Sequence, residues 1–395
     1  MRYTGVLLRR FRSTLTFLVL LPITAACSDQ SRTHIEYEIS YEEYVWNLPR
    51  NVPLPLVPPS NPMGEAKFQL GRHLFYDVRL SGNGTQSCAN CHEQAKAFTD
   101  GKRLAVGSTG QVHHRSSMPL ANIAYVPTLT WGNSSLRQLE TQILIPLFGS
   151  DPIEQGISDS TLPGILQTLQ ADPTYRPLLK EAFPESEGSF SQGIIVDSLA
   201  VFVRGLTSFE SPFDRFQRGE SATLSAAAKR GRALYFGETL ECFHCHGGYN
   251  LSNSTVDRTM AFVEKPFHNT GLYNIDGQGG FPEGNRGLFE LTRNPSDMGK
   301  FRALSLRNVE LTAPYMHDGS IATLSEVIDF YAAGGRNITE GVHAGDGRKN
   351  PFKDGFVTGF AIDAEQKSDL IEFLKSLTDR DFIENPRFSN PWPQP

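Results

Sequence analysis

The chain is expected to fold mainly as α-helices, in two related domains, each built around the same kind of site. Three observations predict this. A Cys-x-x-Cys-His pentapeptide occurs twice, a similar Gly-Arg-containing stretch precedes each copy, and an amphipathic helical pattern follows each. The pentapeptides are Cys88-Ala-Asn-Cys91-His92 and Cys242-Phe-His-Cys245-His246, and they use four of only five cysteines in 395 residues. Two thiols at this spacing with a histidine directly after them suit covalent attachment of a c-type haem. The thiols form thioethers with the porphyrin vinyls, and the histidine is forced beneath the iron as an axial ligand. A structural zinc site also uses paired Cys-x-x-Cys, but it has no need of a following histidine in both copies. A redox Cys-x-x-Cys would sit in a thioredoxin-like strand–helix context, which neither pair has.

In chain order, the first element (1–27) reads as an export signal. Arg2, Arg9, Arg10 and Arg12 precede an apolar run from Leu15 to Ile23, too short to span a bilayer. Cys27 follows Thr24-Ala25-Ala26 and resembles the acylated cysteine of a bacterial lipoprotein. Threonine replaces the usual leucine three residues before it, so plain cleavage leaving a free thiol is the alternative. Residues 28–60 are expected to form an extended N-terminal arm, its end lying in a stretch from Pro49 to Pro62 that carries six prolines. Export agrees with c-type haem, which is attached outside the cytoplasm, and points to the periplasm. Removing the four positive charges of the signal takes the formal net charge from −6 to −10, and haem propionates add more. An acidic surface excludes a nucleic-acid partner. No later stretch is apolar enough to span a membrane, so attachment is expected only through lipid on Cys27.

About 365 mature residues suffice for two domains, expected at 61–212 and 213–395 with the boundary near Ser211–Ser221. Ala66-Lys67 leads to Gly71-Arg72-His73-Leu74-Phe75-Tyr76 before the first pentapeptide, and Ala228-Lys229 to Gly231-Arg232-Ala233-Leu234-Tyr235-Phe236 before the second. One closing helix carries Ile195, Leu199, Phe202, Val203 and Leu206 at helical spacing. The other carries Leu370, Phe373, Leu374 and Leu377, opened by an Asp363/Gln366 capping box. Helix, pentapeptide and closing helix make the plan of a cytochrome c domain. The predicted fold is therefore mainly α, with two cytochrome c-like domains related by internal duplication, each holding one covalent haem c among long loops.

From about residue 61 to residue 387 the sequence resembles the bacterial dihaem cytochrome c peroxidase and MauG superfamily. The resemblance rests on Leu80-Ser-Gly-Asn-Gly84 before the first pentapeptide, Ala97-Phe-Thr-Asp-Gly101 after it, and Leu306-Arg-Asn308 leading to Thr312-Ala-Pro-Tyr-Met-His-Asp-Gly319. Val106-Gly-Ser-Thr-Gly110, Phe267-His-Asn-Thr-Gly-Leu-Tyr273 and the Pro391-Trp392 tail resemble its MbnH-type, methanobactin-associated members.

This resemblance implies a peroxide site at the first haem, with His92 as proximal ligand and Gln142, Pro146 and Glu154 in the distal segment. The gap to Glu154 is two residues longer than the family's. A carboxylate there shuttles the proton between peroxide oxygens, and an amide orients the oxidant. The competing readings are a surface acid on the Asp151-Pro152 turn and a helix-surface glutamine. The second haem is expected to have His246 below and Tyr331 above, on a helix opened by a Thr323/Glu326 capping box. Peroxidases fed by small cytochromes carry methionine at that place. Helical spacing alone has Tyr331 pack beside Leu324 and Val327, and Met298 and Met316 compete as ligands. An anionic oxygen stabilises oxidised iron and a thioether reduced iron, so a His246/Tyr331 haem suits holding an oxidising equivalent.

The resemblance further implies that Trp131, 39 residues after His92, stands between the haems; a buried core aromatic is the alternative. It implies a calcium held near Thr312 and Pro314, with Ser116 where the family has asparagine; a hard cation accepts a hydroxyl or water instead. His113 and His114 lie beside Arg115, which favours a hydrogen-bonding or propionate contact over ligation of the first iron. His268 and His317 are expected to support the second haem or the seam between domains.

The function implied is a MauG/MbnH-like oxidase that uses hydrogen peroxide to form a high-valent dihaem state. It would oxidise a residue of a periplasmic partner protein by long-range electron transfer. For MbnH-type members that is tryptophan to kynurenine on an MbnP-like copper-binding protein, a substrate that nothing in spacing or composition identifies. A cytochrome c peroxidase with a small redox-protein donor is the second reading. A non-enzymatic electron-transfer lipoprotein, six-coordinate at both irons, is the third.

Overall fold

The computed structural model describes residues 44–393; the export signal, Cys27 and the first part of the arm lie outside the described residues. The fold is mainly helical, as expected. Its α-helices are α1 (Glu65–Phe75), α2 (Leu139–Phe148), α3 (Leu162–Ala171), α4 (Tyr175–Ala182), α5 (Gln192–Arg204), α6 (Pro212–Gln217), α7 (Ala226–Tyr235), α8 (Phe243–His246), α9 (Phe289–Thr292), α10 (Leu324–Ala332), α11 (Ala364–Lys375) and α12 (Arg380–Glu384). The only ladder among the described residues pairs β1 (Asn337–Ile338) antiparallel with β2 (Gly345–Asp346). Both predicted capping boxes form: Thr323 caps α10 with Glu326 reaching back, and Asp363 caps α11 with Gln366. No helix among the described residues is long and apolar enough to cross a membrane.

The repeated Gly-Arg stretch has a packing cause. Helix α1 crosses α5 at Gly71, where an added Cβ would lie 1.9 Å from the Ser198 carbonyl oxygen. Helix α7 crosses α11 at Gly231, where an added Cβ would lie 1.9 Å from the Asp369 carbonyl oxygen. Only glycine lets the backbones approach so closely. One turn further on, Phe75 meets Phe202 and Tyr235 meets Phe373, each pair at 5.0 Å and 55°. The two halves are thus the same helix crossing built twice.

Apolar side chains gather accordingly. The first cluster includes Phe68, Leu74, Phe75, Leu199 and Phe202, and the second Phe213, Tyr235, Leu370, Phe373 and Leu374. A third, around Leu272, Phe281, Phe301 and Phe330, has Trp131 and Tyr331 packed against it. The stretch expected to close the second domain instead finishes on the first core. Phe382, Ile383 and Phe388 join the first cluster, Arg387 pairs with Glu65 at 2.6 Å, and the Trp392 indole donates to the His73 carbonyl. The proline-rich arm is bound at both halves, because the Pro53 carbonyl accepts from the Tyr125 hydroxyl and the Leu54 carbonyl from the Arg258 N–H. Both ends of the described chain therefore cross the expected division at 212/213.

Candidate active site

Two cavities lie beside the two pentapeptides. The first, of about 300 Å³, is bordered by Cys88, Cys91 and His92 together with Gln142, Pro146 and Glu154. His92 is turned by its backbone neighbourhood: its Nδ1 meets the Phe98 carbonyl at 2.7 Å, which leaves Nε2 free for a metal. Ala97 and Phe98 both take left-handed φ, +53° and +62°, a conformation non-glycine residues adopt at a cost. Burial lowers the His92 pKa, so the ring stays neutral and able to ligate.

Gln142 and Pro146 lie one turn apart on α2 and so share its cavity face. The Gln142 Oε1 is buried with no hydrogen-bond partner among the described residues, unlike a helix-surface amide. Glu154 is not a surface acid either. The segment Val106–Gly110 closes over its backbone: the Ser108 N–H donates to the Glu154 carbonyl at 2.7 Å, and Gly107 presses against the Ile153 carbonyl where a Cβ would lie at 1.7 Å. Burial pushes the Glu154 carboxyl up to about 7. Of the two adjacent histidines only His113 borders this cavity, and its Nε2 has no partner among the described residues; His114 lies against Gly284.

The second cavity, of about 260 Å³, is bordered by Cys242, Cys245, His246 and, from α10, Tyr331. The His246 Nδ1 meets the Leu304 carbonyl at 3.0 Å, again leaving Nε2 free, and burial lowers its pKa to about 4. Leu324 and Val327 border the cavity beside Tyr331, so the packing face and the ligand face of α10 are one face. The Tyr331 hydroxyl makes no hydrogen bond among the described residues, and burial raises its pKa. Of the competing methionines, Met316 borders the cavity and Met298 does not. His268 and His317 border it too.

Ser116, Ser117 and Trp131 border both cavities. The Trp131 indole donates to the Ser116 carbonyl at 3.0 Å, and its ring lies edge-on to His317 at 6.4 Å. His317 is stacked on Phe301 at 3.6 Å with its Nε2 unpartnered among the described residues, and burial lowers its pKa to about 3. Ser116, Thr312 and Pro314 border the same cavity, the Ser116 hydroxyl donating to the Met316 carbonyl at 3.3 Å and that of Thr312 to the Val309 carbonyl at 3.2 Å.

Among the described residues none of the four pentapeptide cysteines is in a disulfide, so both pairs are available for thioether bonds. A neutral histidine with a free Nε2 beside each pair, facing an apolar cavity, fits a c-type haem in both places.

The chain matches the family model of the di-haem cytochrome c peroxidases over residues 65–222. It is 32% identical to cytochrome-c peroxidase IdrP1 of Pseudomonas sp. (strain SCT), over 84% of this chain and 86% of that one. The chain belongs to the di-haem cytochrome c peroxidase and MauG family. Within that family, methylamine utilization protein MauG of Methylorubrum extorquens is 31% identical over 83% of this chain and 82% of its own. The crystal structure of a MauG-like protein associated with microbial copper homeostasis is 52% identical with a TM-score of 0.87, covering 89% of this chain and all of that one. Members of this family are oxidoreductases with two haems.

Two residues of this family member escaped the sequence reading. Met118 borders the first cavity and Arg302 the second, and the Arg302 guanidinium reaches the Met118 sulfur at 3.7 Å. Neither lies in a motif; their meaning comes from position between the cavities.

Proposed function

We propose that this protein is a MauG-type, MbnH-like oxidase that spends hydrogen peroxide to oxidise a residue on a periplasmic partner protein. The haems, held through Cys88, Cys91 and His92 and through Cys242, Cys245 and His246, supply the two-electron reduction of peroxide to water. Glu154 accepts the proton of the entering peroxide and returns it to the departing oxygen, as a carboxyl with a pKa near 7 can do. The Gln142 amide orients the oxidant, and Pro146 keeps that wall free of a competing donor. Trp131 relays electrons between the cavities, so the partner is oxidised at its own surface and never enters a haem pocket.

The observation that carries this reading is Tyr331 on the wall of the second cavity, with its hydroxyl unengaged among the described residues. As a phenolate facing His246 it would favour oxidised iron and oppose inward relay from a high-potential donor. Burial opposes the phenolate, and the charge of ferric iron offsets that. Ser116, Thr312 and Pro314 are the proposed calcium residues, and Cys27 the proposed lipid anchor to a bacterial membrane. Likeness to a MauG-like protein associated with copper homeostasis points to an MbnP-like copper-binding partner, with tryptophan converted to kynurenine.

Met316 on the same wall, and relatives named cytochrome-c peroxidases, favour a second reading: peroxide reduction with electrons from a small cytochrome or cupredoxin. Incubation of the holoprotein with peroxide and copper-binding periplasmic proteins, followed by peptide mass spectrometry, separates the two. The oxidase reading expects modification confined to one aromatic side chain and slow turnover with reduced cytochrome. Fast oxidation of reduced cytochrome with every candidate partner unmodified would overturn it.

A further inference from the structure

Among the described residues three arginines are buried: Arg204, Arg302 and Arg307. Two of them have a carboxylate. Arg204 pairs with Glu140 at 2.6 Å, and Arg307 holds Asp214 through both terminal nitrogens at 2.7 and 2.9 Å. Arg302, 5% exposed, has none. Its Nε donates to the Thr130 carbonyl at 3.3 Å and its Nη2 to the Met118 sulfur at 3.7 Å, both weak contacts, and Nη1 has no hydrogen bond among the described residues. A buried cation without an anion costs several kcal/mol. This one borders the second cavity, and its own N–H donates to the Trp131 carbonyl at 2.9 Å.

A group filling that cavity brings the missing anion if it carries a carboxylate. Haem carries two, its propionates, and they are its only anionic substituents. We propose that Arg302 is a positioning residue that clamps a propionate of the second haem and ties that haem to the Thr130–Trp131 backbone. The guanidinium then does for the cofactor what Arg307 does for Asp214. Through its backbone contact it also fixes the spacing between the second haem and the indole that faces both cavities. The inference rests on haem occupying the second cavity and holds for either reading of the function, so it can fail without deciding between them.

The test is a spectroelectrochemical titration of both haems in the holoprotein, for the native chain, Arg302→Gln and Arg302→Lys. Loss of the cation leaves a propionate charge uncompensated, which favours ferric iron. The glutamine variant is therefore expected to lower the potential of the second haem alone and to make it fall with rising pH near neutrality, where the native value is flat. The lysine variant is expected to recover most of the native potential. Unchanged potentials and slopes at full haem content, or a shift confined to the first haem, would overturn the proposal. If the variants lose haem, the native protein still decides. Redox-difference infrared spectra with propionate-labelled haem are expected to show only ionised carboxylate bands for the second haem at neutral pH, and a protonated carboxyl band for both its propionates would overturn the clamp.

Discussion

Trp131 donates its indole N–H to the carbonyl of Ser116 at 3.0 Å, and both residues form part of the wall of both cavities. A carbonyl accepts a hydrogen bond but cannot take the proton. An indole oxidised in this place keeps its proton, and electron relay through it requires no proton to move. Replacement Trp131→Phe retains an aromatic ring but raises the energy of oxidation. Peroxide should still be consumed at the first haem, whereas oxidation of the partner should fall about 100-fold, about 2.7 kcal/mol on the barrier. Stopped-flow absorbance and product mass spectrometry check the two halves separately. Partner oxidation at the native rate would remove Trp131 from the path.

Glu154 sets a pH dependence whose sign is fixed by burial. Its carboxyl is raised from 4.5 to about 7, so below that pH it is protonated and cannot take the peroxide proton. The rate of reaction with peroxide should rise with pH through about 7 in the native protein. In Glu154→Gln it should be flat and lower by roughly 100- to 10,000-fold. Stability moves the other way. The fold holds this proton more tightly than the unfolded chain does, so its contribution is complete below about 4.5 and is lost as pH rises to about 7. Glu154→Gln should lack that decline in thermal denaturation at increasing pH.

The paired helix crossings give a symmetric prediction. Gly71→Ala and Gly231→Ala each place a methyl 1.9 Å from a backbone oxygen, which forces the helices apart. Each should destabilise the protein by about 1–3 kcal/mol or more, read by denaturant unfolding of the holoprotein. Gly164→Ala, on α3 with nothing within 4 Å of the added methyl, is the control and should not destabilise.

Much of this was legible in the sequence because it is local. The pentapeptides announce haem without a fold, and the capping boxes at Thr323 and Asp363 announce two helix starts three residues at a time. The Gly71 and Gly231 repeat announced the duplication, although its cause, contact with the carbonyls of Ser198 and Asp369, needed the packed partner helix. Other features depend on distance in space and were illegible. Arg302 looks like any arginine until no acid is found near it. The return of Phe382 and Phe388 to the first core leaves no periodic trace. Tyr331 sits at a spacing that packing alone would explain, and because Leu324 and Val327 border the same cavity, only its phenolic oxygen distinguishes it from them. For Glu154, the sequence showed a turn beside Pro152, and the cover that the Val106–Gly110 segment gives its backbone, through the Ser108 N–H and Gly107, needed the fold.

The proposed oxidase depends most on Tyr331 serving as the second protein ligand, with His246, of the second haem. Electron paramagnetic resonance of the resting holoprotein, native against Tyr331→Phe, tests this most directly. The signal of the second haem is expected to change from six-coordinate to five-coordinate in the variant, with loss of partner oxidation and an unaltered first haem. An unchanged second-haem signal in Tyr331→Phe, with partner oxidation intact, would contradict it.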